Sequence, residues 1–248
     1  MSKRYDCRNS QERIAGIEAA VTAARAGELI VLPTDTVYGI GADAFTPAAV
    51  TTMLAAKGRG RSMPPPVLVG TARAAAALVD DLGAFGQDLI DEFWPGALTL
   101  VFRASPTLLW DLGDTKGTVA LRMPLHGVAL DVLKQTGPLA VSSANRHGQP
   151  SAINADEAEQ QLGEAVSVYL DGGPCSDNVP STILDLTGTI PKVLRSGAVS
   201  VDRLRLVSSV IAENEHYAEE PADVKPAEPH PLETGPVDPA TGEPPSVG

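Results

Sequence analysis

The chain has 248 residues, 43% of them hydrophobic and only 4% aromatic, with a formal net charge of −12. That length suits one sizeable domain with an appendage, or two small domains, with a core of Ala, Val, Leu and Ile. No run of about 18 apolar residues is present, which excludes a membrane span. The start MSKRYDCRNSQER has no apolar stretch of the kind a secretory signal needs, so a cytoplasmic protein is expected.

The body reads as alternating helices and strands. Asn9 or Ser10 can cap a helix running to Arg25, with Gly27 as its stop. Leu29–Leu32 is a short apolar strand ending at Pro33, and Pro47 opens a helix through Ala56. A strand over Pro66–Val69 precedes an Ala-rich helix over Ala72–Val79. Leu98–Phe102, Thr118–Arg122 and Leu139–Val141 read as strands, and Leu125–Gln135 and Ala155–Leu162 as helices. Val166–Leu170, Thr182–Leu186 and Val193–Leu194 are late strands, followed by a helix over Val201–Ala212. Short strands bounded by Pro and Gly predict an α/β fold with a mixed, strongly twisted open sheet flanked by helices.

The organisation expected is a catalytic body over 1–212 and an acidic tail over 213–248. The tail holds eight prolines, nine acids and one lysine, too little apolar surface to offset its ordering entropy. Without it the body carries 18 basic and 22 acidic residues, so a cationic cleft is compatible with the acidic total. Cys7 and Cys175 stand in unlike contexts, read as two reduced thiols, and lack the His cluster a zinc site would need.

Polar chemistry interrupts the pattern at five strand ends. The first is Pro33-Thr34-Asp35-Thr36-Val37-Tyr38-Gly39-Ile40-Gly41, able to hold a small polar substrate or simply to form a capped turn. The second, Lys57-Gly58-Arg59-Gly60-Arg61, could clamp a polyphosphate or be a solvated basic turn, and no Walker-type loop is present. The third is Arg122, costly at the end of a buried strand unless an acid or anionic ligand pairs with it. The fourth is Ser142-Ser143-Ala144-Asn145, where no nucleophile elbow is spelled and neither His126 nor His147 argues for a serine hydrolase. The fifth combines Asp171-Gly172-Gly173, Ser181-Thr182 and Arg195-Ser196-Gly197.

In this order PTDTVYGIG, KGR, WPGALTL, TVALRMP, SSAN, DGG, STILDL and VLRSG resemble the YrdC-like family, over about residues 27–198. The resemblance implies a twisted open sheet with a large concave, positively charged cavity. It implies an enzyme, a nucleotidyltransferase joining L-threonine, bicarbonate and ATP into threonylcarbamoyl-AMP and pyrophosphate, with Mg²⁺ accompanying ATP. A downstream protein system would then pass the threonylcarbamoyl group to tRNA position 37. Carried over residue by residue, Lys57, Arg59, Ser143 and Asn145 are the catalytic set. Thr34, Arg122 and Ser181 would hold L-threonine. Lys57, Arg59, Thr118, Ser143, Ser151 and Arg195 would face ATP.

The chain has the short form, with no further domain recognisable after the body. It departs from the family where many members read P-x-x-(N/H)-P-L: here Gly60-Arg61-Ser62-Met63-Pro64-Pro65-Pro66 follows, and Arg61 stands as a hypothesised anion contact. No dedicated base is evident. Lys57→Ala is expected to keep the fold and lose adduct formation. The competing reading is a non-catalytic double-stranded RNA or tRNA-binding module of the same fold, with weak RNA binding. Few aromatics and no basic excess count against it.

Overall fold

The computed structural model describes residues 2–175, 179–207 and 209–213. The acidic segment from 214 onward lies outside them.

The strands are β1 (Lys3–Asp6), β2 (Ile30–Leu32), β3 (Gly39–Asp43), β4 (Val67–Leu68), β5 (Leu98–Arg103), β6 (Thr118–Arg122), β7 (Leu139–Ser143), β8 (Val168–Asp171), β9 (Thr182–Asp185), β10 (Lys192–Arg195) and β11 (Ala212–Glu213). The helices are α1 (Ser10–Arg25), α2 (Pro47–Lys57), α3 (Ala72–Ala76), α4 (Gly83–Phe93), α5 (Gly127–Thr136), α6 (Ala155–Leu162) and α7 (Val201–Val207). All the strands join one mixed sheet in the order β1-β8-β2-β3-β7-β4-β6-β5-β9-β10-β11. Five elements differ from the sequence expectation. β1, β3, α4 and β11 appear where loops, or no element, were read, and the last helix stops at Val207 rather than Ala212.

Local chemistry sets the ends. Asn9 Oδ1 accepts from the amides of Gln11 and Glu12 and starts α1. Pro47 occupies the first turn of α2, and Gly58 ends it in the left-handed region at φ 68°. The amides of Gly58 and Arg59 turn back to the carbonyls of Ala55 and Leu54. This turn sends Lys57 inward and brings the chain round to Arg59.

The two faces of the sheet are covered unequally, and this positions the site. One face carries a core running from β8 to β10, built with residues of α2, α3, α4, α6 and α7. The other carries a second core, in which α1 and α5 pack on Ile30, Leu32, Leu68, Leu139, Val141, Val168 and Leu170. That core stops at β4. Beyond it, β6, β5, β9 and β10 contribute no residue to it among those described. The strand alternation there places Thr118, Ala120 and Arg122 of β6 on the uncovered side, with Val119 and Leu121 buried beneath.

Close approach of α1 to the sheet is tight at Gly16. A Cβ there would lie 2.7 Å from Cβ of Tyr5 and 3.0 Å from Leu170 Cδ2. Gly16→Ala would gain up to about 1 kcal/mol of helix propensity. Overpacking costs about 1–3 kcal/mol and should win. The variant is expected to unfold at lower urea than wild type; equal or higher stability would mean that α1 shifts freely on β1.

Candidate functional site

Arg122 closes β6 at a buried position. Its Nε donates to the Gly96 carbonyl at 2.9 Å, Nη1 to Thr36 Oγ1 at 2.9 Å and Nη2 to Asp35 Oδ1 at 2.5 Å. Gly96 is fixed in turn, because its amide donates to the Met123 carbonyl and a Cβ would lie 2.4 Å from Phe93 O. The Thr34–Thr36 turn is braced from inside: Thr34 Oγ1 donates to Val37 O at 2.7 Å, accepts from the Thr36 amide and lies 3.0 Å from Thr36 Oγ1. Burial pushes the Arg122 pKa below the ordinary arginine value, and Asp35 opposes it.

Lys57 is 1% exposed, and its ammonium lies inside a ring of oxygens. Nζ donates to the carbonyls of Ser143 and Asn145 and to Asn145 Oδ1 at 3.2 Å. Asn145 is itself held, its amide donating to Arg146 O and Gln149 O. Lys57 thus ties the end of α2 to the end of β7. Burial first, and the neighbouring Arg59 second, push the lysine down to about 7, while the three acceptors favour its charged form. Arg59 Nη1 donates to Ser142 Oγ at 3.2 Å.

Arg195 turns its Nε and Nη2 onto the Ser181 carbonyl at 3.1 and 2.8 Å, with Ser181 Oγ 3.1 Å from Nη2. Ser181 Oγ also meets Thr99 Oγ1 at 2.8 Å. Thr99 of β5 pairs with Ile183 of β9, which pairs with Arg195 of β10. The β5–β6 register extends to set Arg122 opposite Thr99. Two arginines therefore end one row of residues crossing four strands. Burial lowers the Arg195 pKa first, followed by the charges of Arg122 and of Arg59. Arg59, Arg122 and Arg195 converge on one region, and Lys57 joins it through Arg59.

Other sequence expectations fare differently. Thr118 shares the uncovered face with Arg122, four residues back along β6, roughly 13 Å at the ordinary strand rise. It donates to Thr115 O. Ser151 sits on the loop after Asn145, and no hydrogen bond among the described residues ties it to the cations. Ser143 is joined through its carbonyl, leaving its hydroxyl available. Arg61, hypothesised as an anion contact, has its guanidinium on both oxygens of Asp111 at 2.8 and 2.9 Å, an exposed pair. The burial of Lys57 counts against the expectation that Lys57→Ala spares the fold, since Asn145 O and Oδ1 would lose their donor while Ser143 O keeps the Asn145 amide. His126, read as a turn residue, has its Nδ1 buried without a hydrogen bond and its pKa lowered by burial. Cys7 and Cys175 are free thiols, each pushed up to about 11 by burial. A cleft of about 450 Å³, lined by Asp80, Arg103, Trp110 and Asp111 among others, contains none of the four convergent cations.

Sequence reasoning placed Asp35, Thr36 and Ser142 in polar strand ends without giving them individual roles, and missed Thr99. The strand alternation of LTLVF could have exposed Thr99, since a polar residue flanked by buried leucines faces the same side as Arg122.

A protein-family model for Sua5, YciO and YrdC proteins, described as telomere recombination, matches residues 22–197. The chain belongs to this family. A Mycobacterium tuberculosis member (strain CDC 1551 / Oshkosh), provisionally named a threonylcarbamoyl-AMP synthase, is 53% identical over 212 residues, covering 86% of this chain and 98% of that protein. The Bacillus subtilis threonylcarbamoyl-AMP synthase is 36% identical over 194 residues, covering 77% and 56%. Among solved structures of the family, Pyrococcus abyssi Sua5 complexed with L-threonine superposes with a TM-score of 0.79 at 31% identity, covering 86% of this chain and 62% of that one. The family's twisted open sheet is therefore the fold of this chain.

Lys57 gives a pH test. Below about pH 7 folded and unfolded chains both hold its proton; between about 7 and the ordinary 10.5 the unfolded chain holds more. Its contribution to stability therefore rises with pH across that window. Lys57→Met should cost about 1–3 kcal/mol near neutrality. The gap from wild type should widen between pH 7 and 10 in urea unfolding. A flat gap would mean an unshifted lysine.

Proposed function

We propose that the chain is a threonylcarbamoyl-AMP synthase, a transferase of the nucleotidyltransferase type acting in the cytoplasm. The reading rests on one observation above the others: three arginines and a buried lysine share a region in which, among the described residues, the bonded carboxylate is that of Asp35, held by Arg122. Such a set is complementary to substrates that are all anions or carry carboxylates. The relatives' names supply the identity of those substrates.

In this reading L-threonine, bicarbonate and ATP give threonylcarbamoyl-AMP, pyrophosphate and water. Arg122 has five N–H donors, and three are used within the protein. One N–H remains on each of Nη1 and Nη2, a fork suited to the threonine carboxylate. Ser181 and the Thr34 turn border that position. The threonine amine and bicarbonate form a carbamate, whose oxygen attacks the α-phosphorus as pyrophosphate leaves. Arg59 and Arg195 neutralise charge on the phosphates, with the Ser143 hydroxyl and the more distant Thr118 and Ser151 on the nucleotide side. Lys57 and Asn145 act as positioning residues for Ser143, since their polar atoms are already engaged. Positioning and charge neutralisation carry such a reaction without a protein nucleophile.

Among the described residues no cluster of three or more His, Cys, Asp or Glu could hold a metal. The fitting role for Mg²⁺ is thus as a companion of the triphosphate, where it screens phosphate charge. The product would pass to proteins that modify tRNA at position 37. Among the described residues no helix is long and apolar enough to cross a membrane.

The test is release of pyrophosphate and formation of a labelled adduct from threonine, bicarbonate and ATP, with each omitted in turn. All three should be required. Arg122→Lys, which cannot make the fork, should raise KM for threonine about 10- to 100-fold with a smaller change in KM for ATP. Salt-sensitive RNA binding without adduct would overturn the enzymatic reading in favour of the binding module.

A further inference from the structure

Arg122 is buried and Asp35 half-buried, and their pairing is incomplete. Their side chains are 8% and 14% exposed. A structural arginine–carboxylate pair in such a place ordinarily closes as a two-pronged fork, using both oxygens. Here the contact has one prong. Asp35 Oδ1 accepts from Arg122 Nη2 at 2.5 Å and from the Leu125 amide at 3.0 Å. Oδ2 accepts from no described residue, while Arg122 keeps one N–H on each terminal nitrogen. Asp35 Oδ2 is not among the buried atoms left without a partner, so it lies open to a ligand. What remains is one anionic acceptor beside two cationic donors.

That remainder is the complement of an α-amino acid zwitterion. Its ammonium nitrogen lies about 2.5 Å from its carboxylate carbon, as the backbone bond lengths dictate. A ligand whose carboxylate meets the Arg122 fork can therefore set its ammonium against the adjoining carboxylate.

We infer that Asp35 is the residue that recognises the substrate's α-ammonium group, through Oδ2, and so makes the site specific for amino acids over other carboxylates. The inference rests on the reading above in which Arg122 holds the threonine carboxylate. On the sequence, the Asp35 segment stands either as a holder of a small polar substrate or as a turn that Asp35 caps. Its Oδ1 does hold the Leu125 amide, but that use leaves Oδ2 unexplained.

The probe is 3-hydroxybutanoate, which is threonine with hydrogen in place of the amino group. Calorimetry on the full chain should show wild type binding L-threonine about 10- to 100-fold tighter than 3-hydroxybutanoate, the worth of one charge-assisted hydrogen bond. Asp35→Asn keeps the shape and an oxygen for Arg122 and Leu125 but replaces Oδ2 with an N–H₂ donor. It should bind both ligands alike, within about twofold of wild-type 3-hydroxybutanoate binding. Unchanged ATP binding would verify that the variant is folded. If Asp35→Asn keeps the preference for threonine, the inference is wrong. Should the variant fail to fold, wild type alone decides: equal binding of the two ligands overturns the inference, and the expected gap supports it. The broader reading fails separately, when wild type neither binds threonine nor makes the adduct. Threonine turnover without an amine preference sinks only the role of Asp35.

Discussion

Like-charge crowding is the constraint around which this structure is arranged. Arg195 feels the charges of Arg122 and of Arg59, and Lys57 feels that of Arg59. In a site of effective dielectric about 20, each pair of cations at side-chain separations repels by on the order of 1–4 kcal/mol. Desolvation adds to the cost, and lowers the pKa of Lys57, Arg122 and Arg195. Among the described residues that cost is met mostly with neutral oxygens: the carbonyls of Gly96, Ser143, Asn145 and Ser181 and the hydroxyls of Thr36 and Ser142. Carbonyl dipoles hold cations in place without cancelling their charge. The positive potential is thereby kept for an incoming anion, whose binding relieves the repulsion. A cluster neutralised by carboxylates would be more comfortable alone and would bind phosphate less well.

The backbone makes this crowding possible. β4 is only two residues long, and it carries Val67 and Leu68 between β7 and β6. The α2 end, the turn after β2, the start of β9 and the end of β10 all arrive from different parts of the chain. Gly58 in the left-handed region reverses the chain so that Lys57 goes under β7 while Arg59 reaches Ser142. Gly197 is needed in the same sense: a Cβ would lie 2.3 Å from Pro180 O and 2.6 Å from the Ser181 carbonyl carbon. The segment bearing Ser181 thus runs against the turn after Arg195.

Much of this was legible in the sequence, where local chemistry was unambiguous. The cap at Asn9, the Pro47 start and the apolar strands LTLVF and TVALR appear as read. What failed had physical causes. β3 reads Gly-Ile-Gly-Ala-Asp, with glycines that any local rule assigns to a turn. Those glycines serve the sheet: a Cβ on Gly39 would lie 2.6 Å from Val141 Cγ1. β1 reads Lys-Arg-Tyr-Asp and shows no apolar alternation, being fixed instead by parallel pairing with β8 and by Arg4 bonding Asp171. α4 contains Gly83 and Gly86, and Gly86 lies where a Cβ would come 2.8 Å from Phe102. For the site, the sequence offered the right cations but not their partners. Nothing local distinguishes Arg61, spent on Asp111, from Arg59, since that depends on a loop fifty residues away.

The uncovered half of the sheet follows from the same residues. A helix laid over β6, β5, β9 and β10 would have to bury Arg122, Thr99, Arg195 and Thr118 against an apolar stripe. Each unpaired charge so buried would cost several kcal/mol, more than burial of a few leucines returns. α1 and α5 stop where the sheet's second face changes from Ile30, Leu32, Leu68, Leu139 and Val141 to these polar side chains. The boundary of the second core is therefore written in the alternation of β6. Its inward positions Val119 and Leu121 bind the strand to the first core. Its outward positions Thr118, Ala120 and Arg122 exclude a second one. The open face is the part of the sheet that its own side chains keep from being covered by protein, and it is left for a ligand that brings negative charge.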